Sequence, residues 1–236
     1  MKKLTIVSGF SIIAMVVVSC GSKPNYSVSL KKEADSAGYY LGYFYSQQMK
    51  GIGDELNIDA IAKGWQDGRN AASDSIAEVT IQNAQMFLNT YFQNLQVRNN
   101  TKNLEDSKAW MEENKKKQGI VTMPSGLQYR IIQEGTGIRP EKEDTVSVVY
   151  HGTLIDGTVF DSSKERNDTV DFPVSGVVPG FSEALQLMPE NSLWEVFIPA
   201  ELGYGERVNP RGPIKPNSVL IFELQLIKVK KGAKTQ

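Results

Sequence analysis

"YHGTLIDGTVFDSS", Tyr150 to Ser163, is the stretch on which the reading of the fold turns. An aromatic residue ends a run of alternating apolar positions, and Asp156-Gly157 marks a turn. A second short apolar run follows and closes on Phe160, Asp161 and two serines. Two short strands about such a turn form an antiparallel hairpin. Taken alone, Asp161 caps the next turn together with its serines. Taken as part of a site, it is the single polar group in an aromatic wall.

Working outward, the apolar period is two from Met123 onward. "GLQYRIIQEG" sets Leu127, Tyr129 and Ile131 against Gln128 and Arg130, and "DTVSVVYHGTL" alternates Val146, Val148 and Tyr150. "SLWEVFIP" places Trp194, Val196 and Ile198 on one face. "SVLIFELQLIKV" places Leu220, Phe222, Leu224 and Leu226 opposite Glu223 and Gln225. These are half-buried antiparallel strands between Gly, Pro and Asp turns. One helix interrupts them: Pro179-Gly180 open it, and Phe181, Ala184, Leu185 and Met188 share its face. The fold class is therefore α+β, a twisted antiparallel sheet wrapping one short helix. Trp194 reads as core. His151, on the opposite strand face from Tyr150, reads as non-catalytic.

Residues from about 28 to 118 read as helix. Leu30, Ala34, Ala37, Leu41 and Phe44 or Tyr45 form one face, mixed with Gly38 and Gly42, which would let another helix approach closely. A short helix over Asp59 to Gly68 carries Ile61, Ala62 and Trp65. A third begins near Glu78, with Ala84, Leu88, Tyr91, Phe92 and Leu95 as its stripe. It continues, with or without a break at Asn99-Asn100, through "LEDSKAWMEENKKKQG". Lys115 to Lys117 followed by Gly119 form its stop signal. A long polar helix bridges domains or packs on a partner. The helices are also few for a self-sufficient core, so a dimerisation unit is expected. The partition is 20–98 for the helical dimerisation domain, 99–122 for the connecting helix and linker, and 123–236 for the sheet domain.

The 236 residues carry a formal charge of −1, with 40% hydrophobic and 22% charged residues. No basic excess exists to neutralise phosphates, which argues against nucleic-acid binding. One Cys and one His exclude a disulfide framework and argue against a Cys/His zinc site. The chain opens on "MKK" and a 16-residue apolar run, short of the roughly 20 residues a spanning helix needs. Val17-Val18-Ser19-Cys20 then reads as a lipobox, making 1–19 a signal peptide and Cys20 a lipidated N-terminus held in the bilayer. Gly21 after Cys20 fits sorting to the periplasmic face of an outer membrane. An exported protein has no access to ATP, and no glycine-rich phosphate loop occurs.

Four blocks, "VVYHGTLIDGTVFDSS", "VVPGFSEALQLM", "IPAELGYGE" and "SVLIFELQLIKV", resemble, in order and spacing, the FKBP-type peptidyl-prolyl cis-trans isomerases over about residues 124 to 230. The N-terminal "GYYLGYFYSQQM", "WMEENKKKQGI" and "SGLQYRIIQEGTG" are similar to the macrophage infectivity potentiator class, whose members pair through N-terminal helices and carry an isomerase domain on a long helix. The resemblance implies a homodimer, proline-containing exported or unfolded polypeptides as substrates, macrolide inhibitor binding, and no cofactor or metal. It implies Tyr150 and Phe160 as pocket wall, Val177 and Val178 as rim, Phe181 as base, and Ile214 and Phe222 as the far side. Val170 or Phe172 supplies the next wall position, with Phe172 preferred. Asp161 and Tyr204 are the implied catalytic pair. The family's usual base is Trp; Phe181 lacks the indole donor, which bears on macrolide affinity more than on isomerisation.

Rotation about an Xaa-Pro amide is opposed by a barrier of ~18–20 kcal/mol from resonance, and no bond breaks. The twisted amide is less polar than the planar one, so a dry apolar site favours it by differential binding. Tyr204 would hold the substrate carbonyl. Asp161 would either orient Tyr150 through its hydroxyl or meet the carbonyl directly. The expected function is a cell-envelope isomerase that assists folding of exported proteins. The alternative is a dimeric chaperone or adaptor that binds unfolded chains with little isomerase activity.

Overall fold

The computed structural model describes residues 29–49, 53, 55–69, 74–209 and 212–232, with only the backbone described over 74–80. The leader, Cys20, Pro210 and Arg211 lie outside the described residues. The chain divides between Leu56 and Asn57 into two units. The first contains helix α1, Glu33–Gln48, with Glu33 and Asp35 at its positive end and no buried residue.

The second unit opens with α2, Ile58–Arg69. The Asn57 side chain caps it, accepting from the N–H groups of Asp59 at 2.8 Å and Ala60 at 3.3 Å. Helix α3, Asp74–Asn114, starts four residues before the expected Glu78 and runs unbroken through Asn99-Asn100 for 41 residues. It stops where the lysines and Gly119 require; Gly119 has φ +82°.

Seven strands follow among the described residues. They are β1 (Ile120–Thr122), β2 (Gln128–Gln133), β3 (Thr145–Thr153), β4 (Val159–Ser162), β5 (Val170–Pro173), β6 (Leu193–Ile198) and β7 (Leu220–Lys230). All pair antiparallel in the order β1-β2-β6-β7-β3-β4, with β5 also on β3. Helix α4, Pro179–Leu187, covers one face; its Phe181, Ala184 and Leu185, with Met188 just beyond its end, are buried against Val146, Val148, Val196, Ile198, Leu224 and Leu226. The alternation read from β3, β6 and β7 thus faces a single core.

The alternation fails in β2. Ile131 is 42% exposed, whereas Gln128 is only 3% exposed. Gln128 is covered by the end of α3, which lies on the sheet's other face. Gln128 donates to the Met111 carbonyl and accepts from Asn114 Nδ2, both at 3.0 Å. Beside them Met111, Phe197 and Val219 are buried, with Trp110, Ile120 and Ile221 packed against them. A buried polar residue is stable here because the helix end supplies both its partners.

Asp144 ties the strand entry to the C-terminal end of the sheet. It accepts from the N–H groups of Glu141 at 2.7 Å and Gly232 at 2.9 Å, and from Lys231 Nζ at 2.9 Å. Burial disfavours its charge, but these donors outweigh burial and hold the carboxyl at about 2.

Candidate active site

The opening hairpin sets the geometry. Leu154 and Thr158 close the turn, with Leu154 N–H on the Thr158 carbonyl at 2.9 Å, and Gly157 adopts the φ of +83° that the turn requires. The Asp156 side chain accepts from Thr158 N–H at 2.9 Å. The register then places Asp161 opposite Gly152 and Ser162 opposite His151. The two serines lock this arrangement. Ser163 Oγ accepts from the Tyr150 N–H, and the Ser163 N–H donates to the Tyr150 carbonyl, each at 3.0 Å. Ser162 Oγ meets His151 Nδ1 at 3.0 Å, which keeps the imidazole with the serine.

Five rings converge here, Tyr150 among them. Its ring lies 5.9 Å from Phe172, 6.4 Å from Phe181 and 6.2 Å from Phe222. Phe222 meets Phe181 at 4.9 Å and Phe160 at 5.3 Å, both edge to face, and Phe172 meets Phe181 at 6.4 Å. Edge-to-face contacts direct the positive ring edge at a negative face and fix the orientation of each ring. Phe160 and Phe172 are half-buried, as are Val177, Val178 and Ile214, which pack on the same cluster. The wall therefore has an inner, covered part and an outer, accessible part.

Gly152 makes the wall this tight. A Cβ at that position would stand 2.7 Å from Phe160 Cζ and 2.9 Å from Phe222 Cε1. The two rings lie directly over the backbone of β3, where a side chain enters only if a ring moves.

Asp161 sits at the edge of the ring cluster with both oxygens engaged. The Tyr150 hydroxyl donates to Oδ2 at 2.6 Å, and Arg166 Nη1 donates to Oδ1 at 3.1 Å. Partial burial opposes ionisation of Asp161, but the phenol and the guanidinium prevail and hold its carboxyl below the ordinary range. Burial, and then the bond to Asp161, push the Tyr150 phenol up, so it remains a neutral donor. Tyr204 is placed differently. It is 48% exposed on the loop after the 3-10 turn Ala200–Leu202, and among the described residues no ring contact joins it to the five-ring cluster.

Three site features were not read from the sequence: Arg166, Gly152 and the serine lock. Arg166 returns to Asp161 because the chain turns between them, closed by the Arg166 N–H on the Ser163 carbonyl at 3.1 Å; Asn167, at φ +51°, carries the turn on toward β5. The Asn-Asp pair at 167–168 is a turn signal, but it does not say which side chains the preceding residues bring together.

The known proteins this chain resembles agree with one another. Residues 136–227 match the model of the FKBP-type peptidyl-prolyl cis-trans isomerases, and residues 34–131 match that of the domain amino-terminal to them. The chain is 45% identical to the outer membrane protein MIP of Legionella longbeachae over 214 residues, 88% of this chain and 90% of the relative. The chain belongs to the FKBP-type peptidyl-prolyl cis-trans isomerase family. It is also 32% identical to the isomerase FkpA of Escherichia coli K12 over 227 residues, 94% of this chain and 83% of the relative. The crystal structure of FkpA from Escherichia coli superposes with a TM-score of 0.69 at 32% identity, covering 86% of this chain and 99% of that one. This FKBP-type isomerase is an enzyme of the cell envelope that acts on proline-containing polypeptides. Among the described residues no helix is long and apolar enough to cross a membrane.

Proposed function

We propose that the five-ring cluster is where the Xaa-Pro bond turns, with Asp161 and Tyr204 as its polar groups and exported polypeptides as its clients. The observation that carries this reading is the convergence of Tyr150, Phe160, Phe172, Phe181 and Phe222 beside one engaged carboxylate. The proline ring fits against the accessible wall, with Val177, Val178 and Ile214 bounding it. Aromatic and aliphatic surfaces exclude water and favour the less polar twisted amide. Asp161 is a positioning group: its oxygens are taken by Tyr150 and Arg166, so it orients the phenol rather than meeting the substrate carbonyl. The Tyr204 hydroxyl, on its exposed loop, is the donor for that carbonyl.

The test is the exchange rate of a Xaa-Pro tetrapeptide. Asp161→Ala leaves Tyr150 without its acceptor and is expected to lower kcat/KM about tenfold, the ~1.4 kcal/mol scale of one charge-assisted hydrogen bond. Tyr204→Phe is expected to lower it by a similar factor. Because the Asp161 carboxyl is held below the ordinary range, the wild-type rate should stay level from pH 8 to about pH 5. It should fall only at lower pH, as the carboxylate takes up a proton. Wild-type rates in both folded variants would remove Asp161 and Tyr204 from the site.

The partition into 20–98, 99–122 and 123–236, the homodimer and the Cys20 anchor are part of the same proposal. The homodimer is supported by α1, where Tyr39, Tyr40, Leu41, Tyr43, Phe44 and Tyr45 are all exposed. An apolar surface of that kind marks an interaction site, and a second copy of α1 with its small residues Gly38 and Gly42 suits it. The anchor is supported by the lipobox alone. Membrane fractionation and sedimentation check both: Cys20→Ser should release the protein from the membrane, and the released protein should sediment as a dimer. A membrane-bound Cys20→Ser protein would remove the anchor, and a monomer at micromolar concentration would remove the dimer.

A further inference from the structure

The loop from Gly203 to Val219 carries Tyr204 and Ile214, and among its described residues it contains no strand. Its fixed point is Asn217, which is 6% exposed and adopts φ +62°. The Asn217 N–H donates to the Gly205 carbonyl at 2.8 Å, one residue from Tyr204. Its own carbonyl accepts from Ser107 Oγ at 2.7 Å, and its Nδ2 donates to the Asn100 carbonyl at 3.3 Å. Asn103 Nδ2 donates to the Pro216 carbonyl alongside. Asn100, Asn103 and Ser107 lie three and four residues apart, one face of α3.

We propose that this polar face of α3 positions the active-site loop, with Ser107 and Asn217 as positioning residues for Tyr204. The long helix is then a working part of the isomerase site as well as a spacer. The proposal rests on the reading of Tyr204 as a substrate contact. Helix α3 can act in this way because it is fixed to the sheet independently of the loop. Met111 and Trp110 pack on Phe197 of β6, and Asn114 bonds Gln128 of β2. The helix therefore refers the loop to the same sheet that carries the rings. Ser107 is 3% exposed, so loss of its hydroxyl would leave the buried Asn217 carbonyl without that donor, and the loop would shift to find another. Asn217 occupies a left-handed conformation that Asn tolerates and Gly adopts freely.

The test uses the full chain with Ser107→Ala and Asn217→Gly, the latter keeping the backbone conformation while removing the side-chain bond. Each is made in the wild-type and Tyr204→Phe backgrounds. In the wild-type background each should lower kcat/KM on a Xaa-Pro tetrapeptide by about three- to tenfold and speed amide exchange at 203–209. In the Tyr204→Phe background the same changes should have less than about a twofold effect, since residues acting through one group are not additive. Equal losses in both backgrounds, or wild-type rates in both variants, would overturn the proposal. A Tyr204→Phe enzyme at the wild-type rate would instead remove the site reading itself, and this proposal with it.

Discussion

Gly152→Ala is expected to lower kcat/KM about 100-fold while costing the fold only about 1 kcal/mol. The added Cβ would lie 2.7 and 2.9 Å from Cζ and Cε2 of Phe160 and 2.9 Å from Cε1 of Phe222. No backbone atom is among these contacts, so the strand pairing of β3 with β4 and β7 can persist. Phe160 is half-buried and can swing toward solvent at small cost. Phe222 has less freedom, because its ring is held edge to face by Phe181 and Tyr150. Either movement displaces the wall by about the ångström at which a positioned site loses two orders of magnitude. The check is paired: kcat/KM on a Xaa-Pro tetrapeptide, and the urea midpoint of the same preparation. A wild-type rate would show that the rings over Gly152 do not form the site. A large stability loss would show that the strand, rather than the wall, had failed.

Much of this architecture can be read from short-range pattern. The β3, β6 and β7 alternation is legible because one face of each strand meets the α4 core, and a period of two is the direct result. The end of α3 is legible because lysines and a glycine terminate helices for local reasons. What is not legible has tertiary causes. Gln128 is buried because the end of α3 covers its side of β2, which no window of β2 reveals. Arg166 reaches Asp161 only through the turn closed by its N–H on the Ser163 carbonyl. The α3 stripe reads as weak by apolar count because Asn103 and Ser107 bind through their side chains to a loop more than 100 residues away. The same holds for Gly152, an ordinary turn-like glycine in sequence whose reason is the ring above it.

Phe222→Ala should destabilise the isomerase domain by about 3–5 kcal/mol, the range for a buried aromatic truncated to a methyl. Phe222 is 6% exposed and meets three other rings at 4.9, 5.3 and 6.2 Å. Its strand β7 is paired on both sides, to Gly152 of β3 and Val196 of β6, so the backbone cannot collapse into the space left behind. A cavity bounded by rigid sheet retains its full cost. In a unit of this size such a loss lowers Tm by roughly 10 °C or more. Phe222→Leu separates the two roles of the ring. Leucine restores most of the volume, so the urea midpoint should recover to within about 1.5 kcal/mol of wild type. It supplies no ring face for Phe160 and Phe181, so kcat/KM should remain at least about tenfold down. Recovery of both quantities together would mean that Phe222 serves only to fill the core, and the far side of the substrate wall would have to be assigned to other residues.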